Sequence, residues 1–255
     1  MIRHILALCI ISPLFAACSA TAEEEILSFE SDIVLSEDGA LDVTDTIRVR
    51  SKGYKMKEGV FYEPPYVYLY REFQVEYKDA DVAHPTVGLD ILDVRKDGNA
   101  ITYQARQAGS NVFVSSRNIF PAAGVHTYEF RYRTRAHILC RADQELLYWK
   151  VVSNNWDFPI LKTKARITLP ASLAARLPET LIGLVESKGI EGRIARRGPN
   201  AIAFNTTRTL PSGEAFAVRI AFEKGTFADC TDRHAMRGGD SVDGSNSVAG
   251  EQGEN

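Results

Sequence analysis

Through most of this chain apolar and polar residues alternate with a period of two. Leu41, Val43, Ile47 and Val49 interleave with Asp42, Thr44, Arg48 and Arg50. Between His126 and Thr134, Tyr128, Phe130 and Tyr132 fall on one side and Glu129, Arg131 and Arg133 on the other. Successive side chains of an extended strand point to opposite faces, so each run predicts a strand with one buried face. Similar runs occur at 26–35, 73–77, 87–94, 101–105, 112–115, 147–152, 165–169, 181–186, 192–195, 201–205 and 216–222. The one helix candidate is 172–177, at most about two turns long.

Turn signals punctuate these runs. Ser36-Glu37-Asp38-Gly39 closes the first hairpin, with Gly39 supplying the positive φ. Lys96-Asp97-Gly98-Asn99 is a second hairpin turn, and Pro121-Ala122-Ala123-Gly124 a third. Short strands recurring every roughly 8 to 12 residues predict an all-β protein, a sandwich or a barrel. A weak internal echo places a boundary. The turn and strand from Pro121 to Tyr132 resemble those from Pro211 to Phe222, 90 residues later. The reading is two tandem antiparallel β-sandwich domains of immunoglobulin-like type, at 23–136 and 137–228, with one large sandwich as the alternative. The acidic Gly/Ser-rich segment 229–255 is predicted to be disordered, because it holds too little apolar surface to offset its ordering entropy.

The N-terminus changes the picture. Arg3 and His4 precede an apolar run from Ile5 to Ile11, and Ala20-Thr21-Ala22 supplies small residues. That order predicts a secretory signal peptide over 1–22 and export from the cytoplasm. Cleavage after Ala22 would leave Glu23 first. Alternatively, Phe15-Ala16-Ala17-Cys18 resembles a lipobox, which would make Cys18 the lipidated start. An uncleaved anchor is the third possibility, although the apolar stretch is shorter than the ~20 residues of a membrane span. No later apolar stretch is that long, so membrane attachment is expected only through the N-terminus.

Composition is that of an ordinary globular protein, 45% hydrophobic and 25% charged. A formal net charge of −3 argues against a nucleic-acid partner, which asks for a basic surface. Past the signal, only Cys140 and Cys230 remain. An even pair in an oxidising compartment predicts one disulfide. His137 and His234 lie close to these cysteines, so a tetrahedral zinc site is the competing reading; the disulfide is preferred, with no metal and no cofactor.

Two further clusters invite a binding reading. Tyr62, Tyr66, Tyr68 and Tyr70 are all even-numbered, so in an extended chain they face one way. Tyr66, Tyr68 and Tyr70 are candidate carbohydrate-stacking residues; the bland alternative is a covered aromatic row with its hydroxyls at the rim. The segment 147–160 holds both tryptophans. Trp149 is read as core, and Trp156 and Asp157 as candidates for lining a ligand cleft at the domain junction. Asp42, Asp45, Glu129 and Asp157 read as ordinary strand-surface or turn acids. No nucleophile elbow, zinc-protease helix, phosphate loop or dinucleotide fingerprint is present.

Several of these stretches resemble one bacterial family, domain of unknown function 2207. They are Glu25-Ile-Leu-Ser-Phe-Glu-Ser-Asp-Ile33, Gly39-Ala-Leu-Asp-Val-Thr-Asp-Thr-Ile-Arg-Val49, Glu58-Gly-Val-Phe-Tyr62, Gly124 to Thr134, Leu147-Tyr-Trp149 and Asn155-Trp-Asp-Phe-Pro-Ile160. The resemblance spans roughly 24–226. It implies an extracytoplasmic β-rich region that members usually follow with transmembrane helices. Here an acidic tail follows instead, which favours a periplasmic or lipid-tethered form. The family has no established activity, so the resemblance brings no catalytic residues.

The expected function is therefore a non-enzymatic, exported binding or interaction module of the cell envelope, with another envelope protein as partner. A carbohydrate-binding module using the tyrosine row and a hydrolase with a scattered site are the alternatives. Intact mass of the mature protein, taken without reductant and with a thiol label, tests the compartment. A start at Glu23 or an acylated start at Cys18 is expected. Cys140 and Cys230 should resist labelling; two labelled thiols there would reject the disulfide.

Overall fold

In a computed structural model of the 255-residue chain, the described residues are 24–52, 70–74, 88–116, 122–135, 137–174, 192–196, 199–228 and 230. Their strands are β1 (Glu25–Leu35), β2 (Leu41–Ser51), β3 (Tyr70–Gln74), β4 (Leu89–Lys96), β5 (Asn99–Ala100), β6 (Tyr103–Ala108) and β7 (Asn111–Ser116). They continue with β8 (Gly124–Thr134), β9 (Ile138–Cys140), β10 (Gln144–Val152), β11 (Thr163–Thr168), β12 (Gly192–Arg196), β13 (Ala201–Thr206) and β14 (Phe216–Glu223). One short helix, α1 (Ala171–Ala174), lies where the sequence suggested one. The all-β reading is correct. The turn chemistry also holds: Gly39 has φ +80°, and Asp97 and Gly98 have φ +50° and +80°, the left-handed pair that a tight hairpin turn requires.

The strands do not segregate into two immunoglobulin-like sandwiches. One eight-stranded sheet, in the order β12-β13-β11-β1-β2-β8-β4-β5, collects strands from both sides of residue 136. The reason is that β1 has two edges. Its hairpin partner β2 covers one in antiparallel register. The other is covered by β11 in parallel, with Phe29 opposite Thr163 and Val34 opposite Thr168. A parallel pairing needs a long crossover, and no local pattern announces it. Two three-stranded sheets, β14-β10-β9 and β3-β7-β6, complete the strand set.

Alternation assigns the faces of the large sheet. Phe29 and Ile33 of β1, Leu41, Val43, Ile47 and Val49 of β2, and Tyr128, Phe130 and Tyr132 of β8 are all buried. The smaller sheets contribute to the same core. Phe73 of β3 lies edge-on to Tyr132 at 4.6 Å, and Trp149 of β10 stacks beside Tyr132 at 6.3 Å. The opposite face carries cross-strand ion pairs: Glu25 with Arg50, Glu30 with Lys164 at 3.2 Å, and Asp42 with Arg133 at 3.5 Å. The last two are well exposed and contribute at most about 1 kcal/mol each.

Cys140 at the end of β9 and Cys230 form a disulfide, which takes both sulfurs out of any zinc site. Beside it, Phe227 and Ile138 pack over the β1–β2 turn. A Cβ on Gly39 would come within 3.1 Å of Ile138 Cγ1, so glycine there answers both the left-handed φ and the close approach. The buried Glu145 carboxylate holds the adjoining turn by accepting from the Gly225 and Phe227 amides at 2.7 and 2.8 Å.

One cation ties all three sheets together. Arg71 of β3 is 2% exposed. Its Nε donates to Asp45 Oδ2 of β2 at 2.9 Å, one terminal nitrogen donates to the Glu72 carbonyl at 2.9 Å, and the other donates to the Val151 carbonyl of β10 at 3.1 Å. The guanidinium also lies 5.3 Å from the Phe29 ring and 5.1 Å from the Phe73 ring, within cation–π range. Removing one partner of a buried ion pair strands the other, at a cost of about 3–5 kcal/mol. Asp45→Ala should lose that much in urea unfolding. The double variant Asp45→Leu/Arg71→Met should lose clearly less than the two single changes added together; strict additivity would show that the pair does not act as a unit.

Candidate functional site

Asp45 was read as a surface acid, and the structure corrects this. It occupies an inward position of β2 between Val43 and Ile47 and is fully buried. Besides Arg71 it accepts from the Tyr132 hydroxyl at 2.9 Å. Burial lowers the proton affinity of the Arg71 guanidinium, but Asp45 outweighs burial and holds it above its ordinary value. Burial, reinforced by Asp45, pushes the Tyr132 hydroxyl well above the usual phenol value. Asp45 Oδ1 has no partner among the described residues.

Next to this cluster, a pocket of about 410 Å³ opens where the three sheets meet. Its apolar wall includes Phe73, Leu89 and Trp149, and β10 and the turn after it bring Lys150, Ser153, Asn154 and Asn155 to its border. Ser110 and Asn111, from the β6–β7 turn and the start of β7, also line it, as do Arg71, Glu72, Thr134 and His137. Lys150 immediately precedes a β-bulge against β14. Such irregularities re-aim side chains and recur beside binding sites.

Three of the pocket's ionisable groups, Arg71, Glu72 and His137, are already engaged. Arg71 is held by Asp45 and two carbonyls, and the Glu72 carboxylate accepts from the Asn155 amide. The Thr134 hydroxyl donates to the Gly88 carbonyl at 2.9 Å, so the His137 Nε2–H donates to Thr134 Oγ1 at 2.8 Å. His137 also meets the Trp149 ring edge-on at 4.7 Å. Burial lowers its pKa from 6.5 to about 3, which keeps the imidazole neutral. In contrast, the side chains of Lys150, Asn111, Ser153 and Asn154 are uncommitted among the described residues.

The residues singled out from the sequence fall elsewhere. Tyr66 and Tyr68 lie outside the described residues. Tyr70 opens β3 opposite Ser115, and its side chain is also outside the described set. Trp156 is 9% exposed and packs edge-on to Phe29 at 5.9 Å. Its carbonyl accepts from the Gly213 amide and the Ser212 hydroxyl. Asp157 beside it is exposed, and neither residue borders the pocket. Trp149 is in the core, as expected. Cys18 and His234 lie outside the described residues. From the segment 147–160, the residues that border the pocket are Trp149, Lys150, Ser153, Asn154 and Asn155. Asp45 had a visible signal, an acid at an apolar position of an alternating strand. Arg71 and Glu72 had none.

Comparison with known proteins places these features in context. The sequence profile described as "Predicted membrane protein (DUF2207) N-terminal domain" matches residues 25–222. The uncharacterized protein YciQ of Escherichia coli (strain K12) is 28% identical over 178 residues, covering 69% of this chain and 26% of that relative. The chain thus matches about a quarter of that relative's length. Among solved structures, native yeast LTA4 hydrolase gives a TM-score of 0.45 at 13% identity, covering 77% of this chain and 29% of that one. A putative protease from Parabacteroides distasonis gives 0.45 at 10% identity, covering 79% and 41%. An M1 zinc metallopeptidase from Deinococcus radiodurans gives 0.41 at 10%, covering 77% and 42%. No helix among the described residues is long and apolar enough to cross a membrane.

The neutral His137 sets a pH dependence. The unfolded chain protonates it near pH 6.5 and the folded protein only near pH 3. Between these values the unfolded state binds more protons, so stability is full above the upper value and falls as pH drops toward the lower. At roughly 1.4 kcal/mol per pH unit of separation, the His137 contribution is on the order of several kcal/mol. His137→Gln should flatten this acid limb in urea unfolding measured at about pH 7 and about pH 4.5; an unchanged slope would place the acid sensitivity elsewhere.

Proposed function

The chain belongs to the DUF2207 family of predicted membrane proteins, and from that premise we propose that it is an exported binding module of the cell envelope. On this reading it is periplasmic or tethered at its N-terminus, uses the three-sheet pocket to hold a group of an envelope partner, and performs no chemistry on it. The observation that carries the reading is the state of the pocket's polar groups. Acid–base catalysis needs a group free to exchange protons near working pH. His137 is held neutral and bonded to Thr134, while Glu72 and Arg71 are tied to their neighbours. The uncommitted groups are an ammonium, two amides and a hydroxyl, which are recognition groups. A concave, partly apolar site with a few converging polar groups is the usual form of a ligand pocket.

The test pairs isotope-labelled protein with a small-molecule and peptide extract of the envelope. Amide shifts confined to 71–73, 110–111 and 149–155 are expected, with no change in the extract by mass spectrometry over hours. Depletion of one extract component with appearance of its product would overturn the binding reading in favour of an enzyme.

A further inference from the structure

The pocket's chemistry also points to a class of ligand, an inference that rests on the binding reading above. Its formal charges sum to zero, Arg71 and Lys150 against Asp45 and Glu72, but they are not all paired. The Arg71 charge is matched by Asp45 behind the pocket wall, at 2.9 Å. Glu72 is 7% exposed and held by Asn155. Lys150 is half-buried and has no carboxylate partner among the described residues. An ammonium that is partly desolvated and unpaired favours an anionic ligand group, because a charge-assisted hydrogen bond would replace the hydration it has lost. A single ammonium matches a monoanion better than a phosphate dianion.

The remaining groups narrow the class further. Asn111 and Asn154 each carry donors and an acceptor, which suits a neighbouring amide or hydroxyl on the ligand. Phe73 and Leu89 form an apolar wall, so the body of the ligand is apolar. A stacked sugar fits poorly, because the Trp149 ring already lies against Tyr132 on one side and His137 on another. The volume of about 410 Å³ suits a small molecule or the last residues of a peptide.

We propose that this pocket binds a monocarboxylate with an apolar body, its carboxylate on Lys150 Nζ and its apolar part against Phe73 and Leu89. Two sources share this chemistry, the C-terminus of a peptide and a free apolar carboxylic acid.

The experiment titrates the mature protein with N-acetylphenylalanine, with its carboxamide, and with a heptapeptide ending in phenylalanine as free acid or C-terminal amide. Binding is read by amide shifts at Phe73, Leu89, Asn111 and Asn154. The free acids should bind roughly tenfold to a hundredfold tighter than the amides, the scale of one charged hydrogen bond. Lys150→Gln should abolish that preference and Lys150→Arg should keep it, both with an unchanged unfolding midpoint. Tight binding of the peptide acid assigns a peptide terminus; binding of N-acetylphenylalanine alone assigns a free acid. Acid and amide bound equally would overturn the carboxylate assignment while leaving the pocket a binding site. No shift with any of the four probes would overturn it as well, and the extract titration then decides the binding reading on its own.

Discussion

Every layer of this fold meets at the guanidinium of Arg71. It is a buried charge, and a buried charge is tolerable only when paired and fully hydrogen-bonded. Asp45 supplies the pairing from the large sheet, Val151 supplies a carbonyl from β10, and Glu72 supplies one from β3 itself. Each acceptor comes from a different sheet, so the three sheets can satisfy this cation in only one mutual arrangement. Apolar contacts such as Phe73 on Tyr132 are non-directional and would tolerate sliding. The ion pair specifies the register, and the core around Tyr132 and Trp149 provides the bulk of the burial.

The same constraint shapes the pocket. The gap beside Arg71 is lined by residues of β3, β4, β7, β8 and β10 and by the turns that flank them. Glu72 and His137 at that gap hold the walls in place. Glu72 fixes Asn155, and His137 bridges Thr134 to the Trp149 ring. What remains for a ligand is a lysine, two asparagines and a serine beside an apolar wall. On the proposed binding reading, walls already held by hydrogen bonds leave less ordering to be done when a ligand arrives.

The outer face of the eight-stranded sheet shows the opposite use of charge. Pairs such as Glu30 with Lys164 and Asp42 with Arg133 sit across neighbouring strands in water. They add little energy, yet they favour one strand pairing over a slipped one, because a one-residue shift would move every inward side chain outward. The inner pair Asp45–Arg71 and the outer ladder thus act on the same strands, one by cost of misplacement and the other by complementarity.

Much of the strand content was legible in the residues themselves, because a period of two is imposed by backbone geometry on any half-buried strand. Gly39 and Asp97-Gly98 marked their turns because few residues accept left-handed φ. The Cys140–Cys230 bond followed from an even cysteine count. Asp45 read as a surface acid, although its parity, at an apolar position between Val43 and Ile47, carried the signal of its burial. Sheet order was not legible. The parallel β1–β11 pairing joins residues far apart in sequence, and its stability comes from closing an open edge, which depends on where every other strand already lies. Nor was the pocket legible, because Arg71, Asn111, Lys150 and Asn154 share no spacing and converge only when three sheets meet. Local periodicity and turn chemistry therefore determined what the pieces of this protein are; long-range pairing and the satisfaction of one buried cation, which are properties of the assembled chain, decided how they fit and where a ligand could sit.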